Sequence, residues 1–177
     1  APNVLANEAK YTNISIGDLE ISDEEYDQIE GRSVIAKRLK PLPIESIVRN
    51  YLIGSGYSEY LSSGSICNIE LPKNLKMASK LPELLFTPSS KAEIGSHDVN
   101  ISFEKMSEVV GQDMSEKIKE ISFKIFQKAS DYLITKNIIL ADTKFEFGLS
   151  DNGNLVLMDE VLTSDSSRFW ISESYQE

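Results

Sequence analysis

The chain has 177 residues, 41% hydrophobic and 26% charged, the balance of a folded domain or of a large part of a two-lobed one. Its net charge of −10 argues against a nucleic-acid-binding surface, which calls for a basic stripe. No apolar run nears the roughly 20 residues that span a bilayer, and the single cysteine, Cys67, excludes an internal disulfide.

The first residues, Ala1 to Leu5, lack a basic flank followed by an apolar core, so a cytosolic protein without a signal peptide is expected. The glycosylation-type triplets at Asn13 and Asn100 then read as chance matches. Residues 1–31 are polar and give no clear element; the acidic group from Asp18 to Glu30 reads as solvated surface. A short strand is predicted at Ser33–Arg38, with Lys37, Arg38 and Lys40 on a solvated edge. Pro41 and Pro43 should break any regular element. Alternation over Ile44–Leu52 predicts a strand, ended by Gly54-Ser55-Gly56, with a short helix over Ser58–Ser62. Residues 63–100, with Pro72, Pro82 and Pro88, read as a long loop region. Loops of this length are commonly functional, and Lys91, Glu93, His97 and Asp98 favour that here.

Two helices are predicted next. Ser102 opens one and Gly111 closes it. Asp113-Met114-Ser115-Glu116 has capping-box spacing for the second. Its apolar face is Ile118, Ile121, Ile125, Phe126, Ala129, Tyr132 and Leu133, and Asn137 suits a left-handed end.

The densest chemistry lies at residues 138–170. Asn152-Gly153 predicts a hairpin. With a Ser150–Gly153 loop, Leu149 pairs with Asn154 and Lys144 falls opposite Asp159. Alternation puts Asp142, Lys144 and Glu146 on one face and Phe145 and Phe147 on the other. Glu146 and Asp159 become diagonal neighbours, roughly 7–8 Å apart. Two carboxylates at that spacing suit a hard cation such as magnesium, which completes its shell with water and nucleotide phosphates. The same charges also suit a salt-bridged surface hairpin. Ser166, Ser167 and Arg168, and separately Arg49 with Ser55, are hydroxyl-plus-guanidinium sets fit for phosphate. His97 is the only histidine, too few for a histidine-rich zinc site, and Cys67 reads as an inert small residue. There is no Walker A pattern and no Gly-x-Gly-x-x-Gly.

Four blocks stand out together: Pro43 to Ser55; Phe86 to Glu93 with His97-Asp98; Ala141 to Gly148; and Asp159 to Thr163 with Asp165 to Trp170. In order and spacing they resemble the SAICAR synthetase family of purine biosynthesis. The resemblance covers roughly residues 33–170. It implies a two-lobed α+β fold related to ATP-grasp and kinase-like enzymes. Residues 1–40 would complete the N-terminal ATP-binding lobe and hinge, and residues 41–177 would form much of the second, substrate- and metal-binding lobe. The implied reaction is ATP-dependent: the carboxylate of carboxyaminoimidazole ribonucleotide is phosphorylated, and the amine of L-aspartate displaces the phosphate.

The resemblance also implies roles. Glu146 and Asp159 are similar to the magnesium ligands, which also meet the nucleotide. Lys144 and Asp142 correspond to catalytic groups orienting carboxylate and phosphate. Arg49, Ser55, Ser167 and Arg168 correspond to the ribonucleotide phosphate clamp, and Lys91 and Asp98 to the substrate and aspartate side. Lys37 and Arg38 lie in the stretch that resembles the adenine-facing hinge. Small-molecule substrates, ATP and Mg2+ are the implied partners, with neither nucleic acid nor membrane; a homo-oligomer is compatible with it. Ser90, Ser164 and Val99 depart from the family's usual Thr, Pro and acidic residue. The family's glycine-rich ATP loop and its later helices are not visible, so the sequence reads as a piece shortened at both ends. Two other readings stand beside this one: a different ATP-dependent phosphotransferase, and a non-catalytic binding module.

Overall fold

The computed structural model describes residues 19–33, 36–91 and 98–176. In chain order these form α1 (Asp23–Ile29), β1 (Lys40–Tyr51), α2 (Gly54–Ser63), β2 (Ser65–Ile66), β3 (Ile69–Glu70), β4 (Lys80–Phe86), β5 (Ser89–Ser90) and β6 (Val99–Asn100). They continue with α3 (Phe103–Val110), α4 (Gln112–Ile134), β7 (Ile138–Leu149), β8 (Leu155–Met158), β9 (Ser167–Ile171) and a 3₁₀ turn at Ser172–Ser174. The architecture is α+β, as the resemblance implies. Contacts divide the chain into two compact units: residues 1–41 with 148–158, and residues 42–147 with 159–177.

In the first unit, α1 stands on a complete capping box. The Ser22 side chain accepts from the Glu25 backbone, and the Glu25 carboxylate accepts from the Ser22 backbone. This reciprocal pair satisfies two orphan N–H groups. The Ser-x-x-Glu signal was present in the stretch that gave no clear element. The strand predicted over Ser33–Arg38 reduces, among its described residues, to an isolated bridge at Ala36. The hairpin turn is as expected in place but not in length. Ser150 N donates to Asn154 O (3.0 Å), and Gly153 takes the left-handed φ of +75°. The loop is therefore three residues, Asp151 to Gly153, with glycine at its left-handed position. Gly148 permits a close approach: a Cβ there would lie 2.7 Å from Met158 Sδ and 3.0 Å from the Lys40 carbonyl.

The second unit is built on an antiparallel sheet in the order β6-β5-β1-β7; β4 also pairs with β1, and β9 with β7. β1 starts at Lys40 and runs through both prolines, contrary to the expected break. Proline lacks only the N–H, and its fixed φ is compatible with an extended strand end. The Pro43 carbonyl still accepts from Lys91 N at 3.2 Å. The glycines expected to end that strand instead open α2, which begins at Gly54.

The described residues of 63–100 are not a loop. They contain the small β2–β3 hairpin and three strands of the main sheet. β4 pairs Val48 with Phe86 and Arg49 with Leu85, then slips so that Tyr51 meets Lys80. Pro82 lies in that slipped stretch, where it has no ladder bond to lose.

α3 spans Phe103–Val110, capped by Ser102 as predicted. α4 starts earlier than expected: Gly111 is its cap, and no side chain caps it. The capping box at Asp113 does not form, because Asp113 already lies in the first turn. Ile118 and Phe126 are buried, but Tyr132 is exposed and lies under the Lys136 ammonium. Asn137 takes the expected left-handed φ, +58°. Phe86 meets Phe103 and Phe123 edge-on, at 6.3 and 6.2 Å between ring centres, and so ties both helices to the sheet. Phe126, Phe145 and Phe147 are fully buried, each contributing on the order of 1.5–3 kcal/mol of burial free energy.

Cys67 sits in a core cluster with Leu52, Tyr60, Ile66, Leu81 and Leu85. Burial pushes its thiol from 9.0 up to about 12. A thiol raised in the folded state adds stability fully below its unfolded value. That stability is lost only as pH climbs toward 12, so it is constant near neutrality. Alkylation needs the thiolate. Native protein at pH 8 is therefore expected to react with iodoacetamide no faster than it unfolds. Rapid modification of the folded protein, followed by mass spectrometry, would contradict this.

Candidate active site

β1 and β7 carry the site, and the pleat selects its residues. In β7, Phe145 and Phe147 face the core, while Asp142, Lys144 and Glu146 alternate with them. In β1, Glu45 and Arg49 share a face, four residues apart. Both are charged and almost fully buried, at 5% and 1% exposure, so they need partners.

Arg49 finds them all within reach. Its Nε donates to Thr87 Oγ1 (2.9 Å), Nη1 to Asp142 Oδ2 (3.0 Å) and to the Ile53 carbonyl (3.4 Å), and Nη2 to Ser55 Oγ (2.9 Å). Asp142 Oδ2 also accepts from Arg168 Nη1 at 2.5 Å. One carboxylate thus gathers two guanidinium groups and leaves a net positive charge. Burial acts first on both members of the inner pair, pushing the Asp142 carboxyl up and the Arg49 guanidinium down. Each opposes the other's shift by its charge, and Arg168 also favours ionised Asp142.

The opening of α2 makes room for this. A Cβ on Gly54 would lie 2.6 Å from Arg168 Nη2, and Gly54 has a φ of +60°. A Cβ on Gly56 would lie 3.1 Å from Arg49 Nε. Gly54→Ala is expected to cost about 1–2 kcal/mol for the left-handed backbone alone, and to displace the Arg168 guanidinium. A urea midpoint equal to that of the wild type would show that neither constraint holds.

Around the arginines lies a cavity of about 290 Å³, lined also by Ser55, Thr143, Lys144 and the Ser164–Arg168 segment. Hydroxyls hold that segment in place. Thr143 Oγ1 and Ser167 Oγ are 2.7 Å apart, and Thr163 and Ser166 exchange backbone-to-hydroxyl bonds at 3.2 Å. β9 pairs Asp142 with Arg168 and Thr143 with Ser167, and Lys144 N donates to Ser166 O. The expected Lys144–Asp159 pairing is therefore corrected. β8 ends at Met158, and Asp159 lies beyond it, exposed, with a left-handed φ of +60°. The closing pair of the hairpin, Ser150 with Asn154, had already displaced the count.

On the other side of Lys144 is an ion-pair chain. Lys144 Nζ donates to Glu45 Oε1 (2.8 Å) and stands 4.0 Å from Glu146 Oε1. Glu146 pairs with Lys91, and Glu45 Oε2 accepts from Ser89 Oγ (3.1 Å). The Glu45 hydrogen bond is the main influence holding the Lys144 ammonium above its ordinary value; burial opposes it, and Glu146 and Asp98 add to it.

Of the residues singled out from sequence, Arg49, Ser55, Asp142, Lys144, Ser167 and Arg168 meet around one cavity. Lys91 and Glu146 adjoin it through Lys144, and Asp98 is near enough for its charge to act on Lys144. Lys37 and Arg38 belong to the first unit, where Arg38 lines a separate cavity of about 750 Å³ with Leu39, Pro41, Leu149 and Asp151. Glu93 and His97 lie outside the described residues. Among the described residues no three acidic, histidine or cysteine side chains cluster as a metal cage. Sequence reasoning missed Glu45 and Thr87. Two charges on one face of an apolar strand were the available signal for Glu45.

The second unit thus gathers two guanidinium groups, a lysine and several hydroxyls around a small cavity on an antiparallel sheet, the class of site whose chemistry suits an anion. The sequence pattern of the SAICAR synthetase family matches residues 5–177, and the chain belongs to that family. It is 53% identical to the phosphoribosylaminoimidazole-succinocarboxamide synthase of Leptothrix cholodnii, over 88% of this chain and 52% of that protein. It is 53% identical to that of Haemophilus influenzae, over 94% and 57%. Its fold matches a solved SAICAR synthase from Saccharomyces cerevisiae complexed with SAICAR, with a TM-score of 0.77 and 43% identity over 88% of this chain and 50% of that one. A solved SAICAR synthetase in complex with ADP matches with a TM-score of 0.68 and 32% identity, over 84% and 57%. The chain spans about half the length of the curated relatives it matches.

Proposed function

We propose that the protein carrying this chain is an ATP-dependent ligase. It joins L-aspartate to the carboxylate of carboxyaminoimidazole ribonucleotide through an acyl phosphate, giving SAICAR in the cytosol. The observation that carries this is the pair of guanidinium groups, Arg49 and Arg168, held by Asp142 beside the Ser55 and Ser167 hydroxyls. Such a set suits a sugar phosphate: Arg168 is half exposed and offers a planar fork, and Arg49 is fixed behind it.

A free carboxylate is a poor electrophile, and phosphorylation gives it a leaving group. In this reading Lys144 places its ammonium where negative charge gathers between ribonucleotide and nucleotide. Lys91 and Asp98 border the amino-acid side, and Lys37 and Arg38 lie toward adenine. Glu146 and Asp159 would hold magnesium. Carboxylate oxygens suit that hard cation, which completes its shell with water and nucleotide phosphates. When bound, that ion neutralises charge on the transferring phosphoryl group. Asp159→Asn is therefore expected to lower kcat on the order of 10- to 100-fold with a smaller effect on the KM for ribonucleotide; an unchanged kcat would remove Asp159 from the site.

The test of the whole reading is ADP release by the full-length protein with ATP and magnesium, omitting the ribonucleotide and L-aspartate in turn. Release that needs both is expected. ADP formed without either, or tight nucleotide binding with no turnover, would favour another phosphotransferase or a binding module.

A further inference from the structure

The ion-pair chain beside the cavity reaches its wall through Lys144, and behind Lys144 stands a buried carboxylate, Glu45. Glu45 lies on β1, 5% exposed, and both its oxygens are used: Oε1 by Lys144 Nζ at 2.8 Å and Oε2 by Ser89 Oγ at 3.1 Å. It is absent from the cavity wall, whereas Lys144 is part of it. A buried carboxylate is costly unless paired, and this one is paired on both sides, so its position is fixed by β5 as much as by β1. Lys144 needs such an anchor. Its side chain is 40% exposed and has four rotatable bonds, and its second acidic neighbour, Glu146, is 4.0 Å away and already paired with Lys91. Without Glu45 the ammonium would be left to the charges of Glu146 and Asp98, neither of which hydrogen-bonds it as Glu45 does at 2.8 Å.

We infer that Glu45 is a positioning residue for the ligase reaction: locked by Ser89, it holds the Lys144 ammonium at the cavity wall, beside the site of the reacting phosphate. The inference rests on the function proposed above. In this inference the effect of Glu45 passes through Lys144, the member of the chain that lines the cavity. Loss of anchoring should therefore reduce turnover without weakening the grip of Arg49 and Arg168 on the ribonucleotide.

The test uses the full-length protein with Glu45→Gln, Glu45→Asp and Ser89→Ala. Glu45→Gln is expected to lower kcat about 10- to 100-fold while the KM for ribonucleotide stays within about twofold. Glu45→Asp should recover part of kcat, and Ser89→Ala should show a smaller loss in the same direction. A second readout is independent of turnover. The Lys144 ammonium cross-peak, assigned by its loss in Lys144→Met, should be visible in the wild type at low temperature and vanish in Glu45→Gln. Wild-type kcat in Glu45→Gln would overturn the inference. So would a fall in kcat matched by a lower melting temperature with the cross-peak retained, since Glu45 would then be a structural brace only. If the wild type fails to release ADP with ribonucleotide and aspartate, the proposed reaction fails first. Loss of the cross-peak in Glu45→Gln would then still show the anchoring, separated from any role in ligation.

Discussion

Arg49→Met should be the most destabilising single change in the site, lowering unfolding free energy by about 3–5 kcal/mol. The Arg49 side chain is 2% exposed and its Asp142 partner 5%, so truncation leaves a carboxylate buried beside an apolar group. It also strands Thr87 Oγ1, which is buried and accepts from Arg49 Nε. Arg168 still reaches Asp142 from the solvent side, which places the expected loss toward the lower end of that range. Urea unfolding measures this directly. Adding Asp142→Leu to Arg49→Met should restore part of the loss, because the orphaned charge is then gone. A single variant within about 1 kcal/mol of wild type would mean that water or a neighbour already screens this pair.

Arg168→Ala should have the opposite character: a fold left intact and a ligand lost. Its side chain is 47% exposed and anchored by one carboxylate. Removing it deletes a charge-assisted fork and also bares the Asp142 carboxylate to an incoming phosphate. The KM for the ribonucleotide is expected to rise about 10- to 100-fold with kcat within a few-fold, and the melting temperature to stay near that of the wild type. Calorimetric titration with the ribonucleotide separates binding from turnover. Unchanged affinity would move the phosphate away from this cavity. Arg168→Lys is expected to behave nearer to alanine than to arginine, since a point charge does not reproduce the planar fork.

The two variants differ because the two arginines were legible in sequence to different depths. Each was readable as a guanidinium beside serines. That one is sealed and the other half open was not, because it depends on α2 and β9 arriving from elsewhere in the chain. Local signals carried well. Ser102 and Gly111 mark α3, and the alternation of Phe145 and Phe147 with Asp142, Lys144 and Glu146 gave the faces of β7 correctly. Signals depending on a partner failed. β5 and β6 have only two residues each, and the seven residues of β4 include Pro82, which reads locally as a break, so nothing in residues 63–100 alone distinguishes them from loop. β1 looked broken at Pro41 and Pro43 because proline was read without asking which N–H groups the ladder needs there. Glu45 and Lys144 are separated by 99 positions, and Arg49 and Thr87 by 38, so neither pair is visible to a local reading. Asp159 was placed opposite Lys144 by counting back from the turn, and the three-residue loop was enough to displace the count.

The aromatic packing at the end of β9 gives the molecule its own optical reporter. Trp170 is the one tryptophan in these 177 residues. It stacks on Tyr175 with 5.6 Å between ring centres and meets the Tyr51 ring edge-on at 5.1 Å. At these separations energy absorbed by either tyrosine passes to the indole, so emission excited at tyrosine wavelengths measures whether β1, β9 and the segment after it are assembled. Trp170 also stands two residues from Arg168 on the same strand, so a ligand that draws in that guanidinium changes the surroundings of the fluorophore. Binding and unfolding in the second unit can thus be followed in this chain without a label, through the emission of an indole that belongs to that unit.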